Sequence, residues 1–271
     1  MFVIIIFDKC FFDKNKNTTE KEFGITGVTF EADYPTLFKE LDEKSRANVV
    51  HVPDYLERWL PRMKSNVLKE SLAKKAIVHT WTTKKIVFRF NPKTEGYLQA
   101  VYEEGVLYFQ TKTSTFWCNV DDLGRKVPVG ATTGSEYPLA LEQNFAQYEP
   151  KLRENLARIE KALGVTGMTL EILEWRKMEA QAGSSYQNRL GEVAYSWYLG
   201  GLAGNIERFC KDDMVKEAIR DAVSKKKITI RYDAGAKSYH EEKFEDGCLA
   251  ILVKGYASNV DSTGKELDKL L

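Results

Sequence analysis

Apolar and polar positions along the chain change period several times, and each change marks an element. Residues 2–7 are six consecutive apolar side chains ahead of Asp8, the pattern of a short buried strand. The polar stretch 13–22 reads as a loop. A strand is expected over 27–31 and a helix over 35–44, with Pro35 in a first turn, where its missing N–H would be unpaired anyway. After Pro53, Leu56, Leu60, Met63 and Val67 recur at helical spacing, and Pro61 is expected to kink or split that helix. Residues 84–91 alternate: Lys84, Ile86, Phe88 and Phe90 share one strand face, and Lys85, Val87, Arg89 and Asn91 share the other. Segments 96–102 and 106–112 flank Glu103-Glu104-Gly105, a hairpin signature. With 116–120 they predict an antiparallel meander.

Gly124, Pro128, Gly130, Gly134 and Pro138 make 121–138 the stretch richest in breakers, so the boundary is placed there: an N-terminal part over 1–123, a linker over 124–138 and a C-terminal part over 139–271. The second part starts with an amphipathic helix at 150–163 closed by Gly164, then a strand at 166–173. Helices follow at 186–210 and 213–224, the latter with Asp212 or Asp213 as N-cap. Strands at 228–232 and 248–254 and a polar tail at 258–271 complete it. Helix followed by strand recurs at 150–173 and 213–232 without matching residues, which reads as similar architecture and not as a sequence repeat. The fold class is α+β: an N-terminal β-meander with flanking helices and C-terminal helices packed on a small sheet.

Composition narrows the class. With 43% hydrophobic and 29% charged residues and 7 prolines, the chain is that of a globular protein. Forty basic residues against 39 acidic ones exclude a uniformly basic binder. Cys10, Cys118, Cys210 and Cys248 are widely spaced and form neither a disulfide framework nor a zinc pattern. The run at 2–7 is too short for a signal peptide, and the apolar stretch 193–203 is too short to span a bilayer. The expected compartment is the cytosol or the nucleus, with no transmembrane insertion.

The charge distribution is uneven. Residues 58–93 carry ten basic side chains (Arg58, Arg62, Lys64, Lys69, Lys74, Lys75, Lys84, Lys85, Arg89 and Lys93) against Glu70 alone. On a helical wheel Arg58, Arg62 and Lys69 share a stripe beside an apolar one, and Lys85 and Arg89 share a strand face. These five are the candidate anion-binding residues, and Trp59 and Trp81 are the candidate stacking or apolar contacts. Intramolecular pairing with the flanking acidic segments is the competing explanation.

A second anomaly is the helical pattern at 186–210. Gly191, Gly200, Gly201 and Gly204 lie in it although each mid-helix glycine costs about 1 kcal/mol, so something must approach its backbone closely. Tyr195, Tyr198 and Gly201 are its candidate pocket or interface residues.

Catalytic and metal motifs are missing from the sequence. His51, His79 and His240 form no H-E-x-x-H or H-x-H, and the glycine-rich 130–135 lacks the lysine of a phosphate loop. Asp8 resembles the nucleophile of the haloacid-dehalogenase-type phosphatases in ending an apolar run. Cys10 and Phe12 stand where that family needs its second Asp and its Thr or Val, so the pattern is rejected. Glu241, Glu242, Glu245 and Asp246 lack the alternation of a calcium loop and read as a solvated hairpin. No cofactor is implied. The leading expectation is a non-enzymatic protein engaging an anionic partner, nucleic acid, phosphorylated ligand or acidic protein, through the basic helix-strand segment. The alternatives are an enzyme acting on a phosphorylated or carboxylate small molecule in a cleft between the halves, and a self-associating structural protein that dimerises through 186–210.

Overall fold

In the computed structural model the described residues are 9–32, 34–41, 43–46, 49, 52, 54–112, 120–254 and 259–271; the strands expected at 2–7 and over most of 116–120 lie outside them. The chain divides into two compact units, 1–139 and 140–271. The class is α+β, as the pattern of elements implies.

The first unit holds α1 (Lys9–Phe23), β1 (Thr29–Ala32), α2 (Tyr34–Glu40), α3 (Glu43–Arg46), α4 (Asp54–Asn66), α5 (Ser71–Thr80), β2 (Lys85–Phe90), β3 (Leu98–Glu103), β4 (Val106–Thr111) and a 3-10 turn at Val120–Gly124. The stretch expected as a loop at 13–22 is part of α1. Its buried line is Asn15, Thr19 and Phe23 at a spacing of four, and the two polar members hide the helical period from a hydrophobicity reading. Pro61 does not split α4, which runs on to Asn66. It sits on the solvent side with Glu57, whose carbonyl loses its partner where water can reach it.

The sheet is mixed and is not a meander. β3 and β4 form the expected antiparallel hairpin, but β2 pairs parallel with β4 on one side and with β1 on the other, giving the order β1-β2-β4-β3. The hairpin turn uses positive φ at Glu104 (50°) and Gly105 (76°). The core lies between the sheet and the helices. Trp59 stacks on Phe23 (centroids 5.7 Å apart, 14° between planes), and Trp81 and Phe109 pack edge-on to Trp59 at 6.5 and 5.4 Å. The stretch after the 3-10 turn is tied to this unit. Val129 forms a parallel bridge with Val101: the Val129 N–H donates to the Ala100 carbonyl (2.9 Å) and the Tyr102 N–H donates to the Val129 carbonyl (2.7 Å). Thr132 is held by the Thr80 hydroxyl.

The second unit holds α6 (Leu139–Leu163), β5 (Thr169–Ile172), α7 (Trp175–Gln181), a π-helical segment (Glu192–Tyr198), α8 (Leu199–Phe209), α9 (Asp213–Ala222), β6 (Lys227–Tyr232), β7 (His240–Glu245), β8 (Cys248–Val253) and 3-10 turns at Val260–Ser262 and Leu267–Lys269. α6 begins eleven residues before the expected start at Pro150, which lies inside it. Asp212 caps α9, accepting from the Met214 and Val215 N–H groups at 2.9 and 3.4 Å. The sheet order is β5-β6-β8-β7, again with β6 parallel to both neighbours and β7-β8 a hairpin.

The two units are copies of one fold, and with the topology in hand their sequences align. Glu20-Lys-Glu-Phe-Gly-Ile-Thr-Gly-Val-Thr-Phe-Glu-Ala32 matches Glu160-Lys-Ala-Leu-Gly-Val-Thr-Gly-Met-Thr-Leu-Glu-Ile172, with seven of the thirteen residues identical. Val120-Asp-Asp-Leu-Gly124 matches Val260-Asp-Ser-Thr-Gly264. The chain therefore does contain a sequence repeat, contrary to the reading of 150–173 against 213–232, which sets non-equivalent elements side by side. The matched residues act alike in both copies. The Glu20 carboxylate accepts from the Val28 N–H (2.9 Å) and the Glu160 carboxylate from the Met168 N–H (2.8 Å). Positive φ recurs at Gly24 and Gly164, Gly27 and Gly167, Lys84 and Lys226. The buried face of α4, Tyr55, Leu56, Trp59, Leu60 and Met63, recurs in the second unit as Tyr198, Leu199, Leu202, Ala203 and Ile206.

Replacing Trp59 by Ala removes the ring at the centre of the first core and is expected to cost about 3–5 kcal/mol. Urea unfolding read by circular dichroism measures this; a loss under about 1 kcal/mol would show that this core is not organised around Trp59.

Candidate functional site

α4 is amphipathic, and its wheel decides which side chains reach solvent. The face carrying Tyr55, Leu56, Trp59, Leu60 and Met63 packs inward, and Arg58 and Arg62, one turn apart, are exposed on the other side. Lys69, in the turn between α4 and α5, and Lys75 on α5 are also exposed. The candidate stacking residues are not available. Trp59 and Trp81 are both 0% exposed, and the Trp81 Nε1–H donates to the Lys85 carbonyl at 2.9 Å. Both rings belong to the buried core of the first unit, so neither can stack on a ligand.

Lys85 and Arg89 share a strand face as expected, but each is neutralised within the sheet. Lys85 Nζ lies 2.7 Å from Glu31 on β1. Arg89 Nη2 lies 2.5 Å from Glu103 on β3, and its guanidinium sits 3.8 Å from the centre of the Tyr108 ring. The guanidinium holds the Glu103 carboxyl below the ordinary carboxylate range. The second unit repeats both pairs at equivalent positions, Lys227 with Glu171 and Arg231 with Glu245. Lys64 also serves the fold, pairing with Glu22 on α1 at 2.7 Å. The same helix seam in the second unit carries Arg158 and Glu207 at 2.7 Å with the polarity reversed. Hydrogen bonding to Lys64 is the main cause lowering the Glu22 pKa, with added attraction from Lys21 and Lys74.

Close packing explains two of the four glycines of the helical pattern, Gly191 and Gly201; a Cβ on Gly200 or Gly204 would make only ordinary contacts, 3.5 Å from Asn155 and 3.8 Å from Arg158. A Cβ on Gly191 would lie 2.8 Å from the Asn144 Oδ1 and the Phe145 backbone of α6, and one on Gly201 would collide with the Val260 carbonyl. Tyr198 is 0% exposed and edge-on to His240 at 5.7 Å between centroids. Tyr195 is half-buried against Phe145, and its carbonyl accepts from Asn155 Nδ2 at 2.8 Å. Gly201 lines an open groove of about 370 Å³ shared with Ser196, Trp197, Gly200 and Gly204.

One polar cluster escapes a reading of the sequence. The run at 241–246 is mostly strand β7, and its alternation sends His240 and Glu242 to the inner face. His240 Nε2 lies 3.5 Å from Glu242 Oε1 and 3.3 Å from Ser262 Oγ, under the 3-10 turn at Val260–Ser262. The available signal is H-x-E at strand spacing, which the adjacent Glu241 and Lys243 obscure. Burial raises the Glu242 carboxyl above its ordinary range, opposed by the Gly264 N–H and by His240. Among the described residues no three His, Cys, Asp or Glu side chains assemble as a metal-ligand set, and no helix is long and apolar enough to cross a membrane.

Comparison with known proteins returns no matching family model, no curated relative and no similar solved structure.

Replacing Arg58 and Arg62 together by Ala is expected to change the unfolding free energy by less than about 0.5 kcal/mol. Arg89→Ala, which removes a cross-strand pair and a ring contact, should cost about 1 kcal/mol. Chemical denaturation of both variants checks the difference; equal losses would place Arg58 and Arg62 among the structural cations.

Proposed function

We propose that the first unit binds an anionic partner through the exposed cations of α4, α5 and the turn between them, with Arg58, Arg62, Lys69 and Lys75 at its centre. The observation that supports this reading is the duplication itself, which serves as an internal control. One fold is built twice, and the stretch 58–93 carries ten basic residues and one acid where the equivalent 201–235 carries eight and six. The pairs Lys85–Glu31 and Arg89–Glu103 recur in the second copy, so the fold accounts for them. Three of the four central positions do not recur: Arg58, Arg62 and Lys75 correspond to Gly201, Asn205 and Glu217, whereas Lys69 corresponds to the exposed Lys211. A cation excess that the same fold does without in its other copy is retained for something outside the fold.

Compared with the sequence-based expectation, this reading moves the contact surface from a helix-strand segment to the helices. It also removes stacking on Trp59 or Trp81, because both rings are core. What remains is electrostatic attraction through lysine and arginine, which suits a polyanion presenting several phosphates or carboxylates and gives little sequence preference.

Fluorescence anisotropy of short labelled RNA and DNA against the full chain, from low to physiological salt, tests the proposal. Binding should weaken steeply with salt, with a slope of about 0.7 to 0.9 per phosphate engaged. Reversing Arg58, Arg62, Lys69 and Lys75 to Glu should weaken it by at least about tenfold, whereas reversing Lys161, Lys211, Lys225 and Lys265, an equal charge change on exposed positions of the second unit, should cost far less. Equal losses in the two variants, or no binding at low salt, would refute the assignment.

A further inference from the structure

The duplication isolates a second departure from what the fold requires. In the first unit the edge strand β3 presents Leu98 and Ala100 to the core, and Leu123 of the Val120–Gly124 turn is buried in the same core. The equivalent positions of the second unit are His240 and Glu242 on β7 and Thr263 beside the Val260–Ser262 turn. An apolar seam in one copy is thus an ionisable seam in the other. Burying such a pair is costly unless every polar atom finds a partner, and here two do not: His240 Nδ1 and Glu242 Oε1 are buried without a hydrogen bond. The His240 side chain is 5% exposed and that of Glu242 10%.

We propose that His240 and Glu242 form a proton-controlled latch that holds the segment 259–264 against α8. The latch joins three elements. Ser262 Oγ approaches His240 Nε2 at 3.3 Å, and the Gly264 N–H donates to the Glu242 carboxylate. From α8, Asn205 Nδ2 donates to the Thr263 carbonyl at 2.8 Å, and the Val260 carbonyl rests on Gly201. Glu241, on the opposite face of β7, repels the Glu242 charge, Tyr198 lies edge-on to the imidazole, and Ser262 meets the imidazole from the turn. On β8 the residues opposite His240 and Glu242 are Val253 and Ile251, both apolar.

A proton on Glu242 lets the carboxyl donate to Nε2 or to the Ser262 hydroxyl, which pairs Oε1 and keeps the turn docked. Loss of that proton leaves a buried carboxylate whose desolvation the Gly264 N–H and His240 offset only in part, and the arrangement relaxes most cheaply by releasing the turn to water. The sign follows from burial: an acid whose folded pKa is raised contributes stability that is complete below its ordinary pKa and is lost as pH rises through the raised value. The latch loosens with rising pH. Release uncovers Gly201 and extends the groove along Gly200 and Gly204, the small-residue face of α8 that the turn now caps.

Hydrogen exchange of the full chain, corrected for the intrinsic pH dependence of exchange, tests the latch. Protection of amides 260–264 in the unaltered protein should fall by about tenfold per pH unit between the ordinary and the raised Glu242 pKa. The variant His240→Leu with Glu242→Ala installs the apolar seam of the first unit and should hold the turn with protection independent of pH. Should that variant fail to fold, Glu242→Gln, neutral at every pH and of the same shape, should give the same flat profile. A fall in protection that persists in either folded variant, or a flat profile in the unaltered protein, would overturn the proposal.

Discussion

Each unit is organised by a central strand, β2 or β6, that runs parallel to both of its neighbours. A parallel pair cannot be closed by a tight turn, so the chain must leave β1 or β5, cross the sheet through helices and return. That requirement places the helices on one face, where α4 delivers Tyr55, Trp59 and Met63 in one copy and α8 delivers Leu199, Leu202 and Ile206 in the other. The opposite face is left to long charged side chains that bridge strands, Lys85 to Glu31 and Arg89 to Glu103, then Lys227 to Glu171 and Arg231 to Glu245. The central strand therefore sets the core and the ion pairs together.

Because the arrangement is built twice, each copy shows which features of the other the fold can do without. Positive φ at Gly27 and Gly167 and the glutamate that caps the following strand are common to both, and so is a helix-helix ion pair whose polarity is free to reverse. The exposed arginines of α4 and the His240–Glu242 pair occur once each. Both run against local economy, since concentrated like charge repels and a buried ionisable pair must be desolvated. Their occurrence in a single copy is what directs functional attention to them.

Much of the fold is legible in local signals. The hairpin at Glu103-Glu104-Gly105, the cap at Asp212 and the apolar stripe of α4 are written in residues a few positions apart, and local chemistry is enough to place them. α1 is not legible, because Asn15 and Thr19 occupy its buried line. Nor is the strand order, because pairing β2 with β4 across an intervening hairpin strand depends on the crossover and not on any spacing in the sequence. The repeat is hidden for a related reason: its identities cluster in turns and caps, such as Gly24-Ile-Thr-Gly27, while the buried helix positions keep only their apolar character.

The candidate surface divides in the same way. The sequence by itself determined that ten basic residues crowd into 58–93, that Arg58 and Arg62 share a helix face and that Lys85 and Arg89 share a strand face, because helical and strand periodicities are local properties of the backbone. Only the tertiary structure decided that Trp59 and Trp81 are core, that the strand cations are already paired and that His240 meets Glu242 and Ser262 beneath the turn at Val260–Ser262. Whether a charge is neutralised, or a ring covered, depends on which distant segments arrive beside it, and that is settled when the strands pair and the helices close over them.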